Sequence, residues 1–156
     1  MPLRRPEDFV AEGSKVFRQA PVNRTSIQGW VSISRDKVKD SLNKDNSTST
    51  RLGAAYDSVF NLSLAVLASH GWRCTSADGH HMQALEAACA YAGTTLAVFD
   101  QMDAVRDVRN NQYNGVPPSE TDVSPRGAVD GATGAPVDGL AAGGFEIATG
   151  CAAKLP

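Results

Sequence analysis

The sequence predicts an all-α fold, an antiparallel up-down helical bundle with a Gly/Pro/Ala-rich, flexible C-terminal tail. Three observations carry this. Between residues 24 and 113, apolar side chains recur every three or four positions over long segments, the period of helices buried on one side. The connections between those segments are short, as expected for antiparallel neighbours. No stretch within residues 1–114 carries a convincing strand pattern. The chain divides into an N-terminal arm or short helix at 1–22, a helical bundle at 23–122 and a flexible tail at 123–156.

The first segment opens with a loose basic end, after which Pro6-Glu7-Asp8 suits a helix start, with proline in the first turn and acids at the positive end of the dipole. Phe9, Val10, Val16 and Phe17 give it an irregular apolar side, Gly13 weakens it and Pro21 ends it. A second helix is predicted over 24–44. Thr25 or Ser26 caps it, and Ile27, Trp30, Val31, Val38 and Leu42 face inward. The polar run 45–50 then leads into the most apolar helix, Arg51 to Ser69, which is apolar nearly all round and so belongs at the centre of the bundle. Gly53, Ala54 and Ala55 leave a narrow surface near its start, where another helix or subunit can come close.

His70-Gly71 closes the central helix with a C-cap signature, and Trp72 to Gly79 reads as a loop with Asp78 as the next N-cap. His80 to Ala92 is the fourth helix, facing inward through Met82, Leu85, Ala88 and Cys89. Gly93 ends it and Thr94-Thr95 restarts the chain. The fifth helix has an apolar stripe of Val98, Met102, Val105 and Val108 and stops at Asn114-Gly115. Beyond it the composition changes. Residues 115–156 hold eight of the fourteen glycines and five of the eight prolines. Such a segment buries too little apolar area to offset its ordering entropy. Ser119-Glu120-Thr121-Asp122 looks like a helix cap with no amphipathic helix behind it, which suggests a replaced C-terminus, for instance by a frameshift.

A net charge of −2 provides no global basic field, so any phosphate recognition must be local. The N-terminus lacks the apolar run of a signal peptide, and the apolar region around Val59 to Ala68 is too short and too interrupted to span a bilayer. Cys74, Cys89 and Cys151 are odd in number with no CxxC, and are read as thiols of a reducing cytoplasm. No Cys/His spacing suggests zinc, and His80-His81, being sequence neighbours, point to different sides of a helix. Neither a metal nor a cofactor is implied, and the glycine-rich tail lacks the ending of a phosphate loop.

The local phosphate site is sought at the end of the fifth helix. Arg106, Arg109, Asn110 and Tyr113 follow at three- and four-residue spacing on one strip. Two guanidiniums, an amide and a phenol suit a phosphate-bearing ligand. The competing reading pairs the arginines with Asp103 and Asp107 on a solvated face and lets Tyr113 cap the core.

Two stretches resemble the HEPN (higher eukaryotes and prokaryotes nucleotide-binding) domain family. Arg51-Leu52-Gly53-Ala54-Ala55-Tyr56 resembles the family's small-residue and aromatic helix start, and 106–115, RDVRNNQYNG, resembles its polar motif. The helix start at Gly79-His80-His81 also sits where many members have a Gly- or His-bearing start, and the resemblance covers about residues 24–120. It implies a bundle that homodimerises, with the polar motifs of two subunits meeting in a cleft, and a setting in toxin–antitoxin or phage-defence systems. Active members are metal-independent ribonucleases whose motif places His four to six residues beyond Arg. Here Asn111 to Tyr113 and Asn114 to Val116 occupy those windows, and no His follows His81. Asn cannot take a proton near neutral pH as His does.

The expected role is therefore a dimeric module binding RNA or a nucleotide through Arg106, Arg109, Asn110 and Tyr113. Arg51 and Tyr56 come second, and His80 and His81 are the candidates for an atypical base should the protein be a ribonuclease. A third reading is an interaction protein without nucleic-acid binding, holding a cognate nucleotidyltransferase or another defence component.

Overall fold

The structure, a computed structural model, describes residues 2–123. The tail expected at 123–156 thus lies outside the described residues except for Val123. The described chain is mostly helical, with the element order α1 (Pro6–Ala11), β1 (Phe17–Gln19), α2 (Arg24–Leu42), α3 (Thr48–Ser69), β2 (Trp72–Cys74), α4 (His80–Ala92), α5 (Leu96–Asn111), a 3-10 turn (Gln112–Asn114) and α6 (Glu120–Val123).

Helix α1 starts as its proline and acids predict: the Arg5 backbone N–H donates to the Asp8 carboxylate at 2.8 Å, and Phe9 is buried. The segment then departs from expectation. Val16 and Phe17 do not extend a helix. Phe17–Gln19 pairs antiparallel with Trp72–Cys74 in the register Phe17 to Cys74, Arg18 to Arg73 and Gln19 to Trp72. Three residues per strand are too few for a period of two to register, which is why a helix arm and a loop were expected here instead of strands. The basic N-terminus is not loose either. Arg4 holds the buried Glu86 of α4 through two guanidinium bonds and its own backbone N–H, all at 3.0 Å, and its guanidinium lies 4.2 Å from the Phe9 ring centre.

Helices α2 and α3 run antiparallel. Ile27 packs with Ala65 and Ala68, Ser34 Oγ donates to the Ser58 carbonyl at 2.8 Å, and Arg51 Nε donates to the Ser41 carbonyl at 3.1 Å. Small buried residues of α3 at steps of three, four or seven (Ala54, Ser58, Ala65, Ala68) let the helices approach closely. Ser34 and Ser41 are buried on the α2 side of this seam, whereas Leu42, expected inside, is 51% exposed. A helical residue next to a seam position is turned about 100° away from it. The caps are Asn23 for α2, in place of Thr25 or Ser26, and Ser47 for α3, each accepting a backbone N–H three residues on.

The other side of α3 carries the core: Leu52, Tyr56, Val59, Leu62, Val66 and Leu67 pack with Ala84, Leu85, Ala88 and Cys89 of α4 and Met102 and Val105 of α5. Each fully buried leucine here contributes about 1.5–3 kcal/mol. The α5 stripe is as expected, with Val98 and Val108 partly buried at its flanks. At 22 residues α3 is longer than its sequence suggested, and by length and apolarity alone it passes as a membrane-crossing helix; 61% of its apolar window, however, is buried inside the molecule. Gly71, Gly93 and Gly115 close helical segments at positive φ as foreseen. Helix α4 is preceded by Gly79 at φ 78° and not capped by Asp78. Helix α6 follows Ser119, whose backbone N–H donates to Asp122 at 2.7 Å.

Candidate functional site

Helix α3 presents Tyr56 and Phe60 one turn apart, and their rings stack at 6.1 Å. The first turn of α4 places His81 against both: its ring centre lies 4.3 Å from Phe60, and its Nδ1 is 2.7 Å from the Tyr56 hydroxyl. His80 stands 4.3 Å from His81, so the two histidines do share one side of the helix start, contrary to expectation. Among the described residues no group of three metal-ligating side chains forms.

From α5, Arg109 closes over this cluster. Arg109 holds its guanidinium 4.9 Å from the Tyr56 ring centre and has no ion-pair partner among the described residues. Arg106 is paired, to Asp103 at 2.7 Å and Asp107 at 3.1 Å. The solvated-pair reading thus describes Arg106 and fails for Arg109. Arg106 is held above its ordinary pKa by the hydrogen bond it donates to the Asp103 carboxylate.

Burial pushes the Tyr56 phenol up to about 12 against the pull of Arg109 and Arg106, so it stays protonated. Burial, His80 and the two arginines lower the His81 pKa, with Asp57 opposing them, which favours the neutral ring. A protonated phenol donating to Nδ1 places the proton of neutral His81 on Nε2. His80 has the opposite tautomer. Its Nδ1 is 2.9 Å from the Ala77 carbonyl, which only accepts, so the lone pair of the neutral ring is on Nε2. The cluster therefore offers donors from Arg109 and His81, with the His80 ring beside them.

Three expected members lie elsewhere. Tyr113 is 82% exposed on the 3-10 turn, so it neither joins the cluster nor caps the core, and Asn110 is half-buried with no described contact to Tyr56 or the histidines. Arg51 is buried and occupied, donating to Ser41 and pairing with Glu120 of α6 at 3.1 Å. Phe60 was missed; its signal was the four-residue step from Tyr56. Comparison of the chain with family models, with curated proteins and with solved structures gives no match.

Proposed function

We propose that this chain is a HEPN-like, homodimeric cytoplasmic module that binds the phosphate of RNA or of a nucleotide. Arg109 is the principal contact, Arg106 adds charge, and the Tyr56–His81–Phe60 stack supplies an aromatic wall. The observation that carries the reading is the Arg109 guanidinium, held by the Tyr56 ring while no carboxylate among the described residues neutralises it. A guanidinium in that state presents its donor fork to an anion, and neutral His81 with its proton on Nε2 adds a donor beside it. The setting proposed with this fold is a toxin–antitoxin or phage-defence system, where a cognate nucleotidyltransferase or defence protein would be the partner.

The test is RNA binding as a function of salt. Wild type is expected to weaken steeply as salt rises, and Arg109→Ala to lose about tenfold or more in affinity, since a charge-assisted hydrogen bond contributes roughly 1.5–3 kcal/mol. A folded Arg109→Ala protein that binds RNA as well as wild type does overturns the assignment.

One observation favours a second reading, a metal-independent ribonuclease. His80 has its Nδ1–H engaged by a carbonyl, which leaves Nε2 as the nitrogen that could accept a proton, and its ring stands 4.3 Å from His81 in the cluster that holds Arg109. Incubation with a mixed RNA pool in EDTA separates the readings: cleavage by wild type that is lost in His80→Ala supports catalysis, and intact RNA in both supports binding alone.

A further inference from the structure

A second group of rings lies at the opposite end of the α3–α4 pair. The His70 ring stacks face to face on Tyr91, 3.9 Å between centres and 3° between planes, and the Arg5 guanidinium lies 5.6 Å from the same tyrosine. The Tyr91 hydroxyl donates to Glu7 Oε1 at 2.9 Å. Beside this stack opens a groove of about 560 Å³ lined by Glu7, Gln19, Ala20, Pro21, Gly71 and Trp72, together with His70. That volume lies within the roughly 300–1,000 Å³ of small-molecule sites.

The lining is rich in hydrogen-bond acceptors and poor in cations. It contains the Glu7 carboxylate, the Gln19 carboxamide and backbone carbonyls, but no lysine or arginine. Glu7 Oε2 has no partner among the described residues, and Oε1 accepts one bond where a carboxylate oxygen takes two. His70 is exposed, so the imidazole surface that Tyr91 leaves uncovered is open to another ring. An acceptor pair beside an open aromatic face fits a planar heterocycle that donates two adjacent N–H bonds, whereas a phosphate would meet the Glu7 carboxylate in the lining, with the Arg5 guanidinium standing on Tyr91 outside it.

We propose that this groove binds a nucleobase edge bearing paired N–H donors, of which guanine is the best match: the base stacks on His70 and its N–H groups bond to Glu7. The site is separate from the arginine site. A free nucleoside and a base within an RNA strand present the same edge, and the recognition chemistry is the same for both.

Calorimetric titration with guanosine, with uridine and with an oligouridylate carrying a single guanine tests this on the full chain. Guanosine is expected to bind saturably and uridine at least tenfold more weakly. Glu7→Gln, which keeps an acceptor for Tyr91, and His70→Ala should each cost at least tenfold for guanosine, whereas Arg109→Ala should change it less than twofold. The oligonucleotide distinguishes the sources: guanosine binding at least as tightly assigns a free nucleoside, and a tenfold preference for the oligonucleotide that survives Arg109→Ala assigns a base within RNA. Circular dichroism confirms that each variant is folded. Equal affinity for guanosine and uridine, no saturable binding of guanosine or the oligonucleotide, or wild-type affinity in both groove variants overturns the proposal.

Discussion

At one end of the α3–α4 pair Tyr56 lies beneath Arg109 and against His81; at the other Tyr91 lies beneath Arg5 and against His70. The residue types are the same, both phenols are pushed up to about 12, and both imidazoles are held below their ordinary pKa by burial. The clusters differ in what accepts the phenol's proton. With the Tyr56 hydroxyl donating to His81 Nδ1, the neutral imidazole keeps its own N–H on Nε2, beside the Arg109 guanidinium. Tyr91 gives its hydrogen to Glu7, which leaves a carboxylate there. One hydrogen-bond partner thus separates the surface proposed for phosphate from the one proposed for a base edge.

The largest effect that would break the parallel is on stability. Tyr56 is 2% exposed within the core, while Tyr91 is only half-buried. Tyr56→Ala should cost about 3–5 kcal/mol, the range for removing a buried aromatic ring, and Tyr91→Ala roughly 1 kcal/mol, as for a partly exposed site. Urea unfolding midpoints of the two variants measure this, and equal losses would mean that the two rings are not packed so differently.

Next in size is the effect on binding. Arg109→Ala should lower both RNA affinity and the slope of affinity against salt, by about one phosphate contact. Arg5→Ala, at the carboxylate end, should leave the slope unchanged. A smaller contrast comes from removing the hydroxyls alone. Tyr56→Phe leaves His81 Nδ1 without its donor and should cost about 1 kcal/mol, while Tyr91→Phe frees an exposed Glu7 to water and should be nearly neutral by the same urea measurement.

Much of this organisation was legible in the sequence, although the convergence of the site was not. The restart at Thr95 and the glycines at 71, 93 and 115 are local signals, and the structure uses them where they stand, whereas Ser47 caps α3 ahead of the start expected at Arg51. Arg4 and Glu86 lie 82 positions apart, and nothing local in either reveals the other. Ser34 and Ser41 were passed over because burial of a serine depends on the small residues opposite it, and Ala54 and Ser58 belong to another helix. Arg106, Arg109, Tyr56, His80 and His81 were each singled out by residue type, but their meeting depends on how α3, α4 and α5 pack. Tyr113 was misplaced for a local reason. A 3-10 turn advances about 120° per residue where an α-helix advances about 100°, so the strip that holds Arg106 and Arg109 does not continue to Tyr113.

The smallest expected effect is the pH dependence of stability, and it tests whether the two imidazoles share a burial mechanism. A histidine whose folded pKa lies below its unfolded value binds fewer protons when folded. Its contribution is present above about pH 6.5 and is lost as the pH falls through the folded pKa. His81→Gln should therefore flatten the decline of unfolding free energy between pH 7.5 and 5, measured by urea titration at successive pH values. His70→Gln should do the same. The opposing carboxylates sharpen the comparison: Asp57 works against the lowering at His81 and Glu7 against that at His70. Asp57→Asn should steepen the acid decline in a His70→Gln background, and Glu7→Gln in a His81→Gln background. If one carboxylate variant steepens the decline and the other leaves it unchanged, the electrostatic likeness of the two clusters fails even though their geometry is shared.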